Sequence, residues 1–123
     1  MVVLAMIGAV GRRQPFVTVL EPDGRRRLVP ISASPFVIGR SSDCHLVLYD
    51  MHFPRQQLKI VHVGDRFCLE HTGSMCPVFL NGERIPQEPG TRRELQPNDV
   101  VSFGTSVPYE LVFTYDDGDV DAA

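Results

Sequence analysis

The chain has 123 residues, 43% of them hydrophobic and 22% charged, which fits one domain with its own core and excludes collagen-like, coiled-coil and strongly disordered classes. The formal net charge is -3, and Asp116, Asp117, Asp119 and Asp121 supply four of the fifteen acidic residues. Without them eleven acidic residues face twelve basic ones, so the body carries no broad positive footprint for DNA or RNA and anion recognition must be local.

Residues 1–10 (MVVLAMIGAV) are apolar, but they lack a basic leader region and are followed by Arg12 and Arg13 rather than a small-residue cleavage site. The run is also shorter than the roughly 20 apolar residues of a membrane-spanning helix. An extra strand or an apolar arm over residues 1–14 is expected, packing on the domain or on a second copy. Residues 16–20 (FVTVL) read as a strand ending at Glu21, Pro22, Asp23 and Gly24, a tight-turn signal, and residues 28–31 read as its hairpin partner. Arg25, Arg26 and Arg27 fall at this turn as solvated residues or as a contact for an acidic partner.

Residues 36–38, 45–48, 57–63, 66–70, 78–80, 92–95, 100–103 and 109–115 form further short apolar or alternating runs. Gly64-Asp65, Asn81-Gly82, Pro89-Gly90 and Pro97-Asn98-Asp99 punctuate them, and no window supports a helix. About ten short strands at a spacing of roughly ten residues predict an all-β sandwich or barrel. The body is expected over residues 15–115. Residues 116–123, rich in Asp, Gly and Ala, are expected to form an acidic disordered tail.

Cys44, Cys68 and Cys76 are odd in number and match no zinc spacing. They are expected as reduced thiols, in an intracellular, reducing setting. His45, His52, His62 and His71 are scattered over different runs, so no metal site and no cofactor are expected. Cys44 and His45 are adjacent on a strand and point to opposite faces, which leaves no nucleophile and base within reach of each other and no catalytic site. Met51 and Phe53 are expected to present apolar side chains from the loop around His52, as loop packing or as a contact surface.

Five stretches in order carry a resemblance. They are Gly39-Arg40 after an apolar strand; His45-Leu46-Val47-Leu48; Arg55 before Leu58-Lys59-Ile60; Phe79-Leu80-Asn81-Gly82; and the run from Leu95 to Gly104 (LQPNDVVSFG). Together they resemble the forkhead-associated (FHA) domain over about residues 16–115. The resemblance implies a twisted β-sandwich of about eleven strands whose loops at one end bind a phosphothreonine peptide. In that setting Arg40 is the expected phosphate clamp, since a planar guanidinium meets two phosphate oxygens at once. Ser41 lies beside it, and Gly39 is expected to let the chain turn sharply there.

The family's second motif usually reads Ser-Arg-x-His, and here the segment is Pro54-Arg55-Gln56-Gln57. Arg55 keeps the second positive charge, and Pro54 has neither hydroxyl nor N–H to donate. Gln57 stands where the family's His braces the loops and retains hydrogen-bonding capacity. The third motif, usually Ser-Thr-Asn-Gly-Thr, is Ser74-Met75-Cys76-Pro77-Val78, so Met75 and Cys76 replace stronger polar groups and Ser74 is the one hydroxyl left. Asn81 and Gly82 match the family, most often as turn residues.

Two charged phosphate contacts remain and three polar ones are replaced. At about 1.5–3 kcal/mol per hydrogen bond to a charged group, the expected function is a divergent protein-interaction module that mediates complex assembly with weak or absent phosphothreonine dependence. The alternative is a true reader of a threonine-phosphorylated protein partner that clamps phosphate with Arg40 and Arg55. Arg40 also has a bland reading, as a structural arginine paired with Asp43 or Asp50. No nucleic-acid or membrane partner is expected.

Overall fold

The computed structural model describes residues 14–105 and 107–116. The apolar arm expected over residues 1–14 and the acidic tail expected over 116–123 lie outside them, apart from Gln14 and Asp116, which belong to the first and last strands.

In Gln14–Leu20 (β1) Pro15, Val17 and Val19 are buried and their neighbours only half-buried, the period-two pattern of a strand that covers a core on one side. β1 pairs antiparallel over its whole length with Glu110–Asp116 (β11), Gln14 opposite Asp116 and Leu20 opposite Glu110. On its other side it pairs with Arg26–Pro30 (β2). With Phe79–Leu80 (β7), Glu83–Arg84 (β8) and Val100–Ser102 (β10), they form a six-stranded sheet in the order β2-β1-β11-β10-β7-β8.

The second sheet contains Phe36–Gly39 (β3), Leu46–Val47 (β4), Leu58–Val63 (β5), Arg66–His71 (β6) and Arg92–Leu95 (β9), in the order β4-β3-β5-β6-β9. β3 and β4 run parallel, and the other neighbours in this sheet run antiparallel. Eleven strands and no helix among the described residues make the expected β-sandwich. The two-residue β8 was not among the expected runs, because Glu83 and Arg84 are charged and exposed and carry no apolar signal.

Buried side chains of both sheets meet in one core that includes Val17, Val19, Ile38, Leu58, Leu69, Val101, Phe103, Leu111 and Phe113. Phe53 joins it from the β4–β5 loop, 1% exposed, edge-on to Phe103 at 4.8 Å between ring centroids. This corrects the expectation that Phe53 is presented outward. A turn closed by the Phe53 N–H on the Asp50 carbonyl (2.9 Å), with the Asp50 carboxylate accepting from the His52 N–H (2.8 Å), tucks the ring inward. Met51, by contrast, is 84% exposed.

The registers define two ends of the sandwich. Ile38 opposite Leu58 and Leu58 opposite His71 place the end of β3, the start of β5 and the end of β6 together. Leu20 opposite Glu110, Ser102 opposite Glu110 and Phe79 opposite Ser102 do the same for the other sheet. Residues 72–78 run from His71 to Phe79 and join these two sets, so the β3–β4, β4–β5 and β6–β7 loops share one end.

The β7–β8 and β9–β10 turns close the other end. Asn81 (φ 52°) and Gly82 (φ 84°) form the two-residue connection of β7 to β8, the left-handed pair of a type I′ hairpin. Gln96-Pro97-Asn98-Asp99 places Pro at the second position and left-handed Asn98 (φ 74°) at the third, as a type II turn requires. The Asn81 side chain locks the two turns together: its amide nitrogen donates to Asp99 Oδ1 (3.0 Å) and its oxygen accepts from the Val100 N–H (2.8 Å).

Asn81→Ala removes both hydrogen bonds and puts a β-carbon residue without side-chain compensation in the left-handed region. The expected loss is about 1–3 kcal/mol by urea denaturation, with Asn81→Gly recovering the backbone part of that loss.

Candidate functional site

Arg40 and Arg55 leave the sheet at the shared loop end, and backbone hydrogen bonds fix their spacing. The Arg40 N–H donates to the Pro54 carbonyl (2.9 Å), the Ser41 N–H to the Arg55 carbonyl (3.1 Å) and the Gln57 N–H to the Ile38 carbonyl (2.8 Å). Residues 54–57 are thereby laced onto the end of β3. The lacing requires Gly39 to lack a side chain: a β-carbon there would stand 2.7 Å from the Arg55 carbonyl carbon and 2.8 Å from Gln56 Cα, and would overlap the Arg55 carbonyl oxygen. Gly39 is not among the residues with positive φ. Its role is close approach of backbone to backbone, a correction to the sharp turn expected from the sequence.

Arg40 is exposed, and its Nε donates to the Phe53 carbonyl at 2.9 Å. Among the described residues neither Asp43 nor Asp50 forms an ion pair with it, and the only ion pair of Asp50 is with His52 at 3.4 Å. The alternative reading of Arg40, as a structural residue paired with Asp43 or Asp50, finds no such pair among the described residues. Arg55 is exposed as well, and no carboxylate among the described residues is within ion-pair distance of it. Two arginines thus leave adjoining backbone segments at one end, with no carboxylate partner among the described residues. The Arg25–27 cluster differs, since Arg25 pairs with Asp23 (2.7 Å) and Arg27 with Glu21 (3.0 Å).

Gln57 has no exposed surface. Its amide nitrogen donates to the Cys76 carbonyl at 2.9 Å, and its side-chain oxygen accepts from the Ser74 hydroxyl. The Thr72 hydroxyl reaches the Gln57 carbonyl at 2.9 Å and the Gln56 carbonyl at 3.0 Å. Gln57 therefore fastens the β6–β7 loop to the β4–β5 loop from beneath. Ser74 spends its one proton on this inward contact, leaving its oxygen as acceptor. Met75 is 90% exposed, and Cys76 is half-buried with its thiol pushed up by burial and by Asp50. The geometry brings Arg40, Ser41, Arg55, Gln57, Ser74, Met75 and Cys76 to one end. Asn81 and Gly82 stand at the opposite end.

The Cys44 thiol, near Arg55, points inward and donates to the Arg55 carbonyl at 3.1 Å. Burial and Asp43 raise its pKa, which makes it a packed thiol rather than a reactive one. Among the described residues no three His, Cys, Asp or Glu side chains are grouped to hold a metal ion.

His71 was read from the sequence only as a scattered histidine. It is fully buried under the β6–β7 loop, and its Nδ1 accepts from the Gly73 N–H at 2.8 Å, which shapes the start of that loop. The contact makes Nε2 the protonated nitrogen, and Nε2 has no hydrogen-bond partner among the described residues. Burial holds the imidazole below the ordinary value of 6.5, and the Arg84 guanidinium adds to the shift. The phase of β6 carried the signal, since Phe67, Leu69 and His71 share its buried face.

Gly39→Ala is expected to cost about 1–3 kcal/mol in urea denaturation and to shift the backbone amide resonances of residues 40, 41 and 55–57. For His71 the unfolded chain takes up a proton near 6.5 while the folded chain resists it. Its contribution is complete above that value and is lost as pH falls below it, at no more than about 1.4 kcal/mol per pH unit. Chemical denaturation between pH 7.5 and 5 should show this slope, flattened in His71→Gln.

The model of the FHA domain family matches residues 36–104, more than half of the chain. Among solved structures, the FHA domain of the CT664 protein from Chlamydia trachomatis is 24% identical with a TM-score of 0.69, over 82% of this chain and 96% of that one. The N-terminal FHA domain of Rad53p from S. cerevisiae, solved with a phosphothreonine peptide, is 18% identical with a TM-score of 0.67, over 88% and 99%. Mycobacterium tuberculosis EmbR, in complex with a low affinity phosphopeptide, is 23% identical with a TM-score of 0.68 over 82% of this chain, which spans only 24% of EmbR. No curated protein matches. The structural likenesses describe the fold, and the family match covers the segment from β3 to the end of β10 that carries Gly39, Arg40 and Arg55: the chain belongs to the FHA domain family.

Proposed function

We propose that this domain is a protein-interaction module for complex assembly whose loop end docks an acidic side chain of a protein partner through Arg40 and Arg55, with weak dependence on phosphothreonine. The observation that carries the reading is the pairing of two guanidinium groups that have no carboxylate partner among the described residues with the loss of donors at positions 54, 74, 75 and 76. Pro54 has no N–H, Met75 and Cys76 have no strong donor, and Ser74 gives its proton to Gln57. Arginine forks meet carboxylate and phosphate alike. What separates the two anions is the set of additional hydrogen bonds that a third phosphate oxygen takes, each worth about 1.5–3 kcal/mol. Three free cysteines accord with an intracellular, reducing setting.

A second reading, a true phosphothreonine reader, is favoured by the same unneutralised arginines, because a dianionic group gains most from two neighbouring positive charges. The Rad53p domain, 18% identical, is solved with such a peptide.

Titration with a degenerate phosphothreonine peptide library, its unphosphorylated twin and its aspartate-substituted twin separates the readings. The first expects phosphate to be preferred over aspartate by less than about tenfold, or about 1.4 kcal/mol, and expects Arg40→Ala to abolish binding of both anionic sets. A preference of about a hundredfold or more, lost in Arg40→Ala, establishes the reader. Binding that is equal in all three libraries and indifferent to Arg40→Ala removes both.

A further inference from the structure

A cleft of about 360 Å³ lies at the same end of the sandwich, on the outer face of the six-stranded sheet. Leu20, Ser102 and Glu110 line up across β1, β10 and β11. They alternate with the buried Val19, Val101 and Leu111, so their side chains point away from the core. The β1–β2 turn adds Glu21 and Pro22, and the β10–β11 loop adds Val107, Pro108 and Tyr109.

The lining is mixed, apolar at Leu20, Pro22, Val107 and Pro108 and polar at Glu21, Ser102, Tyr109 and Glu110. Glu21 already holds one guanidinium, that of Arg27, on Oε2 at 3.0 Å, and its Oε1 has no hydrogen-bond partner among the described residues. Glu110 is exposed and neither of its oxygens is in a side-chain hydrogen bond or ion pair among the described residues. The Tyr109 phenol is pushed up in pKa first by burial, then by Glu21 and Asp50, with Asp23 adding to the shift and Arg27 opposing it. The carboxylates of Glu110 and Glu21 are the anionic groups of the lining, the second of them shared with Arg27.

We infer that the cleft is a second docking point on the partner-facing end, taking the side chain of a partner arginine or lysine. The aliphatic stem lies along Leu20, Pro108 and the Tyr109 ring, and the cationic head meets Glu110 and the unpaired oxygen of Glu21. Long basic side chains divide in this way between apolar walls and a polar rim, and a cation beside an aromatic face gains further attraction. The loop end is then bipolar, with a basic pair that holds an anion and an acidic cleft that holds a cation. The partner segment it selects carries both signs of charge. This rests on the reading of the loop end as the binding face, but it needs neither phosphate nor Arg40.

The test is a titration of the isotope-labelled full chain with Nα-acetyl-arginine amide, with Nα-acetyl-glutamine amide as the neutral control, followed by amide chemical shifts. Saturable shifts at Leu20, Glu21, Val107, Tyr109 and Glu110 are expected with the arginine probe alone. They should be abolished in Glu110→Lys, weakened at least threefold in Glu110→Gln and unchanged in Arg40→Ala. The inference is overturned by shifts of the same size with the neutral probe, by shifts elsewhere, by no shifts, or by shifts that persist in Glu110→Lys. Because the probe contains no anion, failure of the arginine pair to bind acidic peptides leaves this outcome unaffected.

Discussion

Residues 54–57 lie against Gly39 at a distance that no side chain permits, and the loop end is built around that approach. The Arg55 carbonyl that a β-carbon at position 39 would strike is the acceptor for the Ser41 N–H and for the Cys44 thiol. One carbonyl thus fastens the β3–β4 loop to the β4–β5 loop twice. Arg40 and Arg55 leave the backbone on either side of this junction, so the spacing of their main-chain origins is fixed by its hydrogen bonds. Preorganisation of this kind lowers the entropy lost when an anion is bound.

The same junction turns Gln57 inward, where it takes over the third loop. A buried side-chain amide costs stability unless its groups are satisfied, and Gln57 satisfies its amide oxygen and one amide proton with Ser74 and Cys76. The outcome is a trade between rigidity and recognition. The hydroxyl proton of Ser74 and the carbonyl of Cys76 are used to hold the loop in place, and neither group offers a donor to a ligand. His71 extends the arrangement downward by anchoring the Gly73 N–H, with its other nitrogen a buried donor that has no partner among the described residues.

Much of the fold was legible because the strands follow a period of two and their turns carry Asp-Gly, Asn-Gly or Pro-Asn. Gly39-Arg40 and Arg55 were legible as a motif in order. What was hidden depended on contacts distant in sequence. That Gly39 is needed for space, not for φ, follows only from where Arg55 comes to lie. Phe53 looked like a loop residue because the Asp50 turn that buries it cannot be read without Phe103 in place. Asn81 resembled a site residue because it belongs to a family motif, yet its hairpin points away from the arginines. β8 left no signal because an exposed two-residue edge strand has no core face to encode.

The antiparallel pairing of the first and last described strands has a mechanical side. Gln14 and Asp116 are opposite each other, at the end of the sandwich away from Arg40 and Arg55. Tension applied through these two residues would open the β1–β11 ladder like a zipper, loading one rung at a time, instead of shearing all rungs together. The domain is therefore compliant along that axis. A bound partner at the opposite end is the last part of the structure to feel the pull.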